Sequence, residues 1–383
     1  MRPVLLRVVA LLAAVVACTA AAPRPPLRMN DVQVIGSHNS FKRRIPDAVM
    51  AAIRARSPAE ADALDYDHLS LTAQLDRGVR QLELDIFADP AGGRYADPAG
   101  ERLAKAAGET TGFDRTAMLR PGFKVFHIPD VDYLSGCVTF RRCLQEIDDW
   151  SRAHPHHVPI MITINAADRA SGRAGITDPL PLTAPLLDAL DDEIRATLAP
   201  GRTVTPDEVR GTAPTLRDGV RARGWPTLDR TRGRLYFVLD VRPEVGELYR
   251  AGHPSLRGRP IFGWYDATTA EGVVQIVQDP LIDGARIRDW VQHGVIVRTR
   301  SDLPTADARA GNHIRADAAA ASGAQAVSTD YYPGAPMRSG IDFRVTLPGG
   351  VMERCNPVLR AGACALPRGG AAAHLSEQIY AGA

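Results

Sequence analysis

Lysine is nearly missing from this 383-residue chain: Lys42, Lys105 and Lys124 are the whole supply. Arginine carries almost all of the positive charge, and 46 basic residues stand against 44 acidic ones, for a formal net charge of +2. So balanced a chain has little electrostatic attraction for a polyphosphate backbone, which argues against nucleic acid as a partner. Long apolar runs are lacking beyond the N-terminus, so no transmembrane span is expected in the mature chain. Cysteine is scarce as well, with five residues and no pair at the spacing of a zinc site.

The N-terminus is built differently from the rest. Arg2 and Arg7 form a short basic region, residues 8–17 are apolar, and small residues follow, so residues 1–22 read as a secretory signal. Losing the two arginines would leave the mature chain neutral. The stretch "VVAC" at 15–18 also has the form of a bacterial lipobox with Cys18 as the lipidated residue. Cleavage within the alanines at 20–22 would instead free the protein, and both routes place it outside the cytoplasm. The other four cysteines form two local pairs, Cys137 with Cys143 and Cys355 with Cys364, that an exported protein can oxidise. Residues 27–383 read as one barrel domain whose Gly/Pro/Ala-rich tail is pinned by the second pair. Oligomeric state leaves no mark in the sequence.

Eight short apolar, β-branched runs read as strands: 32–37, 79–86, 123–128, 158–165, 234–240, 260–265, 293–298 and 325–329. Several are apolar throughout, as strands covered on both faces are. Helical patterns lie between them at 71–79, behind Ser70 as N-cap, and at 140–154, 181–198 and 306–323. Eight strands alternating with helices predict an α/β fold of the TIM-type (β/α)8 kind, with a doubly wound open sheet as the alternative. The long connection 88–122 then lies on the rim that carries substrate loops.

Polar groups at the strand ends need partners. Glu83 and Asp85 are two apart in "QLELDI", so both face the barrel mouth, where they repel and lose hydration. A hard cation resolves both costs. With Asn39 after the first strand and Asn165 at the end of the fourth as neutral oxygen donors, the set suits calcium or magnesium, and calcium better than zinc. Interior arginines are the competing partners for the carboxylates. His38 ends the first strand and His127 the third, two imidazoles able to move protons near neutral pH. The "HPHH" at 154–157 reads as a solvated turn.

"GSHNSF", "LELDI" and "KVFHIPDVDYLSGC" together resemble the calcium-dependent phosphatidylinositol-specific phospholipases C of bacteria, within the phospholipase C-like phosphodiesterases. The resemblance runs from about residue 30 to 365, and "GVIVRTRSD" at 294–302 and "GAQAVSTDYY" at 323–332 fall within it. It implies a TIM-type barrel with one bound calcium held by Asn39, Glu83 and Asp85. His38 would stabilise charge on the phosphorane, and His127 would protonate the leaving alkoxide. Glu83 would also act as base toward the inositol 2-hydroxyl, releasing diacylglycerol and a cyclic inositol phosphate at a membrane surface. Where relatives place a third carboxylate at the end of the fourth strand, this chain has Asn165, with Asp168 three residues on. Arg298, Arg300 and Asp302 are expected either to contact phosphate or inositol hydroxyls or to form an internal Arg–Asp ion pair, and Asp330 and Tyr331 to contact the head group. Two readings compete: a glycerophosphodiester phosphodiesterase on the same fold, and a head-group-binding barrel without turnover.

Overall fold

Parallel strands buried on both faces must be almost wholly apolar on their helix-facing side, and six of the parallel strands here are buried along their full length. In a computed structural model that describes residues 25–338, 340–360, 362, 364 and 366, the chain forms a nearly closed parallel barrel wrapped by helices. The signal reading of residues 1–22 and the lipobox at Cys18 lie outside the described residues.

The strands are β1 (Val32–Ser37), β2 (Gln81–Phe87), β3 (Lys124–Val125), β4 (Ile160–Ala167), β5 (Leu235–Asp240), β6 (Ile261–Gly263), β7 (Val274–Val277), β8 (Ile296–Arg300), β9 (Ala326–Thr329) and β10 (Glu353–Cys355). Around the barrel they run β6-β5-β4-β2-β1-β9-β8-β7, and all neighbours on this path are parallel. Two of the ten lie off it. β3 is an antiparallel two-residue return beside the end of β2, and β10 runs antiparallel to β1. The count of eight barrel strands is therefore as expected, but one member differs. Residues 123–128 do not form a barrel strand, and the unforeseen Val274–Val277 takes that place. The reason is tertiary: Phe126 stacks on Phe87, ring centroids 4.2 Å apart, which folds the segment back over β2 outside the barrel.

Close packing where the end of β1 meets the start of β2 fixes one residue type. A Cβ on Gly36 would sit 2.0 Å from Gln81 Oε1, so only glycine lets β1 and β2 meet. The expected helices are present as Leu71–Asp76, Phe140–Ala153 and Ala184–Thr197, and Ser70 Oγ accepts the N-cap bond from Ala73 N–H. The fourth is split into Ala306–Arg309 and Ile314–Ser322, the latter ending on Gly323 at φ 84°. Both cysteine pairs are joined as disulfides, Cys137–Cys143 and Cys355–Cys364. Among the described residues no helix is long and apolar enough to cross a membrane.

Register then aligns the polar positions. Glu83 pairs with Thr163, and Asp85 pairs with Asn165, which pairs in turn with Asp240. A row of oxygen-bearing side chains thus crosses three strands one step below the mouth.

Candidate active site

The chain leaves β1 through a locked turn. Asn39 adopts φ 47°, a left-handed conformation that asparagine tolerates better than most residues. Ser40 stitches the turn to β2: its N–H donates to Glu83 O at 3.0 Å, and its Oγ accepts from Glu83 N–H at 2.8 Å. His38 and Asn39 are thereby set beside Glu83 and Asp85.

Each expected imidazole is anchored in the same way, with Nδ1 held by a buried aspartate. His38 Nδ1 lies 3.1 Å from Asp330 Oδ1 and 3.3 Å from the Tyr66 hydroxyl, and its Nε2 faces Glu83 Oε1 at 3.8 Å. Asp330 is paired with Arg300 Nη2 at 3.1 Å and lies 3.6 Å from His68 Nε2. His127 follows β3 on a loop rather than ending a barrel strand, and its Nδ1 lies 2.8 Å from Asp132 Oδ2. Lys42 Nζ reaches the same oxygen at 3.2 Å. The two side chains keep 20% and 24% of their surface exposed, so each ring still presents an edge to solvent.

The electrostatics follow from these partners. Burial and the Arg300 charge push His38 down to about 4, which leaves it neutral at neutral pH. Burial opposes ionisation of Asp330, but His38 and Arg300 hold its carboxyl well below the usual carboxylate range. Asp132 is likewise lowered against its burial by Lys42 and His127. Asp302 behaves oppositely: burial and the Asp330 charge push it up to about 7.

The oxygen cluster is short of positive charge. Among the described residues no cationic side chain pairs with Asp85 or Asp240. Burial and Glu83 raise the Asp85 carboxyl well above its ordinary value, and the same two causes push Asp240 up to about 6. The Asn39 side-chain oxygen points at both Asp85 oxygens, 3.0 and 3.3 Å away, while Nδ2 donates to the Tyr66 hydroxyl at 2.8 Å. Turned over, the amide donates N–H bonds to both Asp85 oxygens and accepts from the Tyr66 hydroxyl, so the same side chain can face Asp85 with either end. Asn165 adds a hydrogen bond to Asp85.

Of the other expected contacts, Arg298 is buried and donates through Nη2 to Glu83 Oε2, with Nη1 on Gln278 Oε1 at 2.8 Å. This is the interior arginine that competes for Glu83. Arg300, Asp302 and Asp330 form a buried cluster in which Asp302 accepts from the Asp330 N–H at 2.9 Å and the Thr329 hydroxyl at 3.1 Å. Tyr331 is buried and packs edge-on against Phe343. Asp168 is taken by Arg242 at 2.5 Å. Sequence reasoning missed Lys42, Tyr66, His68, Asp132 and Asp240. Asp240 closes the predicted strand 234–240, so the strand-end rule that found Asp85 would have found it.

The sequence profile described as "Phosphoinositide phospholipase C, Ca2+-dependent" matches residues 27–357. The chain belongs to this family. A solved structure of a calcium-dependent phosphoinositol-specific phospholipase C from Pseudomonas sp., apo form with myoinositol, superposes with a TM-score of 0.52 at 15% identity, covering 86% of this chain and 96% of its own. A second crystal form of that apo enzyme gives 0.51 at 14% identity, covering 86% and 95%. At such identity the likeness is one of fold. No protein with a curated description matches in sequence.

Members of this phosphodiesterase family depend on calcium, and the donor set here fits a hard cation. Asp85, Asn39 and Asn165 are the residues that would offer it oxygens, with Asp240 in register beside Asn165 and one oxygen of Glu83 not bonded to Arg298. Among the described residues no three His, Cys, Asp or Glu side chains are gathered as a metal cluster.

Proposed function

We propose that this protein cleaves phosphatidylinositol at a membrane surface to diacylglycerol and a cyclic inositol phosphate, with one calcium ion held by Asn39, Asp85, Asn165 and Asp240 and a share of Glu83. The observation that carries the reading is the pair of imidazoles, each with Nδ1 fixed by a buried aspartate, beside an oxygen cluster that lacks a counter-charge. Calcium, when bound, neutralises phosphate charge and lowers the pKa of a nearby hydroxyl.

The chain's own groups divide the proton traffic. His38, neutral and held at Nδ1 by Asp330, presents the Nε2 lone pair as base for the inositol 2-hydroxyl. Glu83, whose Oε1 lies 3.8 Å from His38 Nε2, is the alternative base. Burial raises its pKa, but Arg298 and His38 outweigh that and keep its carboxyl low. The 2-oxygen forms a bond to phosphorus, the bond from phosphorus to the glycerol oxygen breaks, and the electron pair goes to that oxygen. His127 Nε2 delivers the proton it needs. Attack within one molecule starts with favourable proximity. Arg298 and Arg300, already neutralised by Glu83 and Asp330, support the cluster rather than bind phosphate directly.

Two disulfides, the signal-like residues 1–22 and bacterial relatives favour work outside the cytoplasm, either free or anchored at Cys18. Phosphorus NMR on phosphatidylinositol micelles tests the reaction: a cyclic phosphodiester should appear first, and only with calcium present. Glycerophosphate or a linear monoester as first product would point to the hydrolytic relative, and binding without turnover would remove the enzyme reading.

A further inference from the structure

Lys42 is one of three lysines in the sequence, and it is fully buried. A buried ammonium is costly unless paired. Its Nζ lies 3.2 Å from Asp132 Oδ2, donates to Tyr66 O at 2.8 Å and sits 4.7 Å over the Tyr66 ring. Asp132 Oδ2 therefore receives both Lys42 and His127, while Oδ1 has no hydrogen-bond partner. Among the described residues no other cation pairs with Asp132.

The placement of Lys42 in the chain gives the contact its meaning. It lies three residues after Asn39, and its N–H donates to Asn39 O at 2.8 Å. Tyr66, whose carbonyl takes the ammonium, uses its hydroxyl on Asn39 and His38. His127 comes from a separate loop, whose downstream residues dock on the same segment through the Lys42–Ser135 bridge and the Gly136 N–H bond to Phe41 O at 2.8 Å. Lys42 thus links the aspartate that holds His127 to the segment that carries His38 and Asn39.

We propose that Lys42 is a positioning residue for this reaction: by fixing Asp132 it holds the His127 ring where its Nε2 meets the leaving oxygen. The inference rests on His127 as the proton donor, and the test separates the two. The protein would be assayed on phosphatidylinositol, whose alkoxide leaving group needs a proton, and on an inositol aryl phosphodiester, whose phenolate does not. Lys42→Met should cut kcat on the lipid by about 10- to 100-fold, with KM within about twofold and a loss on the aryl substrate below about threefold, the scale of a displaced acid. Asp132→Asn should show the same contrast. The double variant should be no worse than Asp132→Asn alone, because both changes act through one contact; it also leaves no orphaned buried charge and reports if Lys42→Met fails to fold.

Equal losses on both substrates, multiplying losses in the double variant, or an unchanged kcat would overturn the role of Lys42. His127→Ala is the separate check. If it shows the leaving-group contrast and Lys42→Met does not, the role of Lys42 fails alone; if His127→Ala lacks the contrast, the donor assignment fails with it.

Discussion

Asp240→Asn should stabilise the calcium-free protein and weaken its response to calcium. Asp240 ends β5 in register with Asn165, and no described cation pairs with it. Burial and Glu83 raise its carboxyl from 3.8 to about 6. A pKa raised on folding gives stability that is fully present below the unfolded value and lost as pH rises through the folded one, so the ionised carboxylate is a burden above pH 6. Two units are worth about 3 kcal/mol at about 1.4 kcal/mol per unit, and partial exposure reduces this to about 1–2 kcal/mol. Urea unfolding in chelator at pH 7.5 should show the variant more stable by that amount. The gap should close toward pH 3.8, where the wild-type side chain is also neutral. Millimolar calcium should then stabilise the wild type more than the variant, since a ligand that binds only the folded state adds to its stability. A variant no more stable than wild type in chelator, or an equal gain from calcium in both, would refute the reasoning.

Two further outcomes follow from buried groups. His157 is buried, not solvated as its "HPHH" setting implied, with Nδ1 on Val158 O at 2.6 Å and Nε2 on Ser151 Oγ at 2.7 Å. Burial lowers it from 6.5 to about 4, so stability should fall by about 3 kcal/mol as pH drops from 6.5 to 4. Denaturant titrations at pH 7 and 4.5 should show a smaller loss in His157→Gln; equal losses would remove this cause. Arg298→Met orphans the buried Glu83 carboxylate and should cost about 3–5 kcal/mol in chelator. Calcium should return more stability to this variant than to the wild type, by thermal melting; an identical calcium shift would mean that Glu83 lies outside the cation site.

The fold was legible because most barrel strands are short apolar runs whose burial is uniform. The misplacement of 123–128 arose because "FKVFHI" has strand character, and its stacking on Phe87 is invisible to local pattern. Val274–Val277 was overlooked because four residues with a central glutamine give little periodicity. At the site, His38, Asn39, Glu83, Asp85 and Asn165 stood out as polar groups at strand ends. Their supports did not. Tyr66 and His68 meet His38, and Lys42 meets Asp132, only through tertiary contact, and the link between Asp132 and His127 depends on the tight 128–132 turn. The arginines were seen, but a sequence does not say that Arg298 and Arg300 are spent on Glu83 and Asp330.

Titration calorimetry of calcium into the folded, chelator-treated protein tests the site most directly. The account predicts one ion per chain, with binding lost in Asp85→Asn and weakened in Asp240→Asn while both variants stay folded. No heat of binding in the wild type, or undiminished binding in Asp85→Asn, would contradict it.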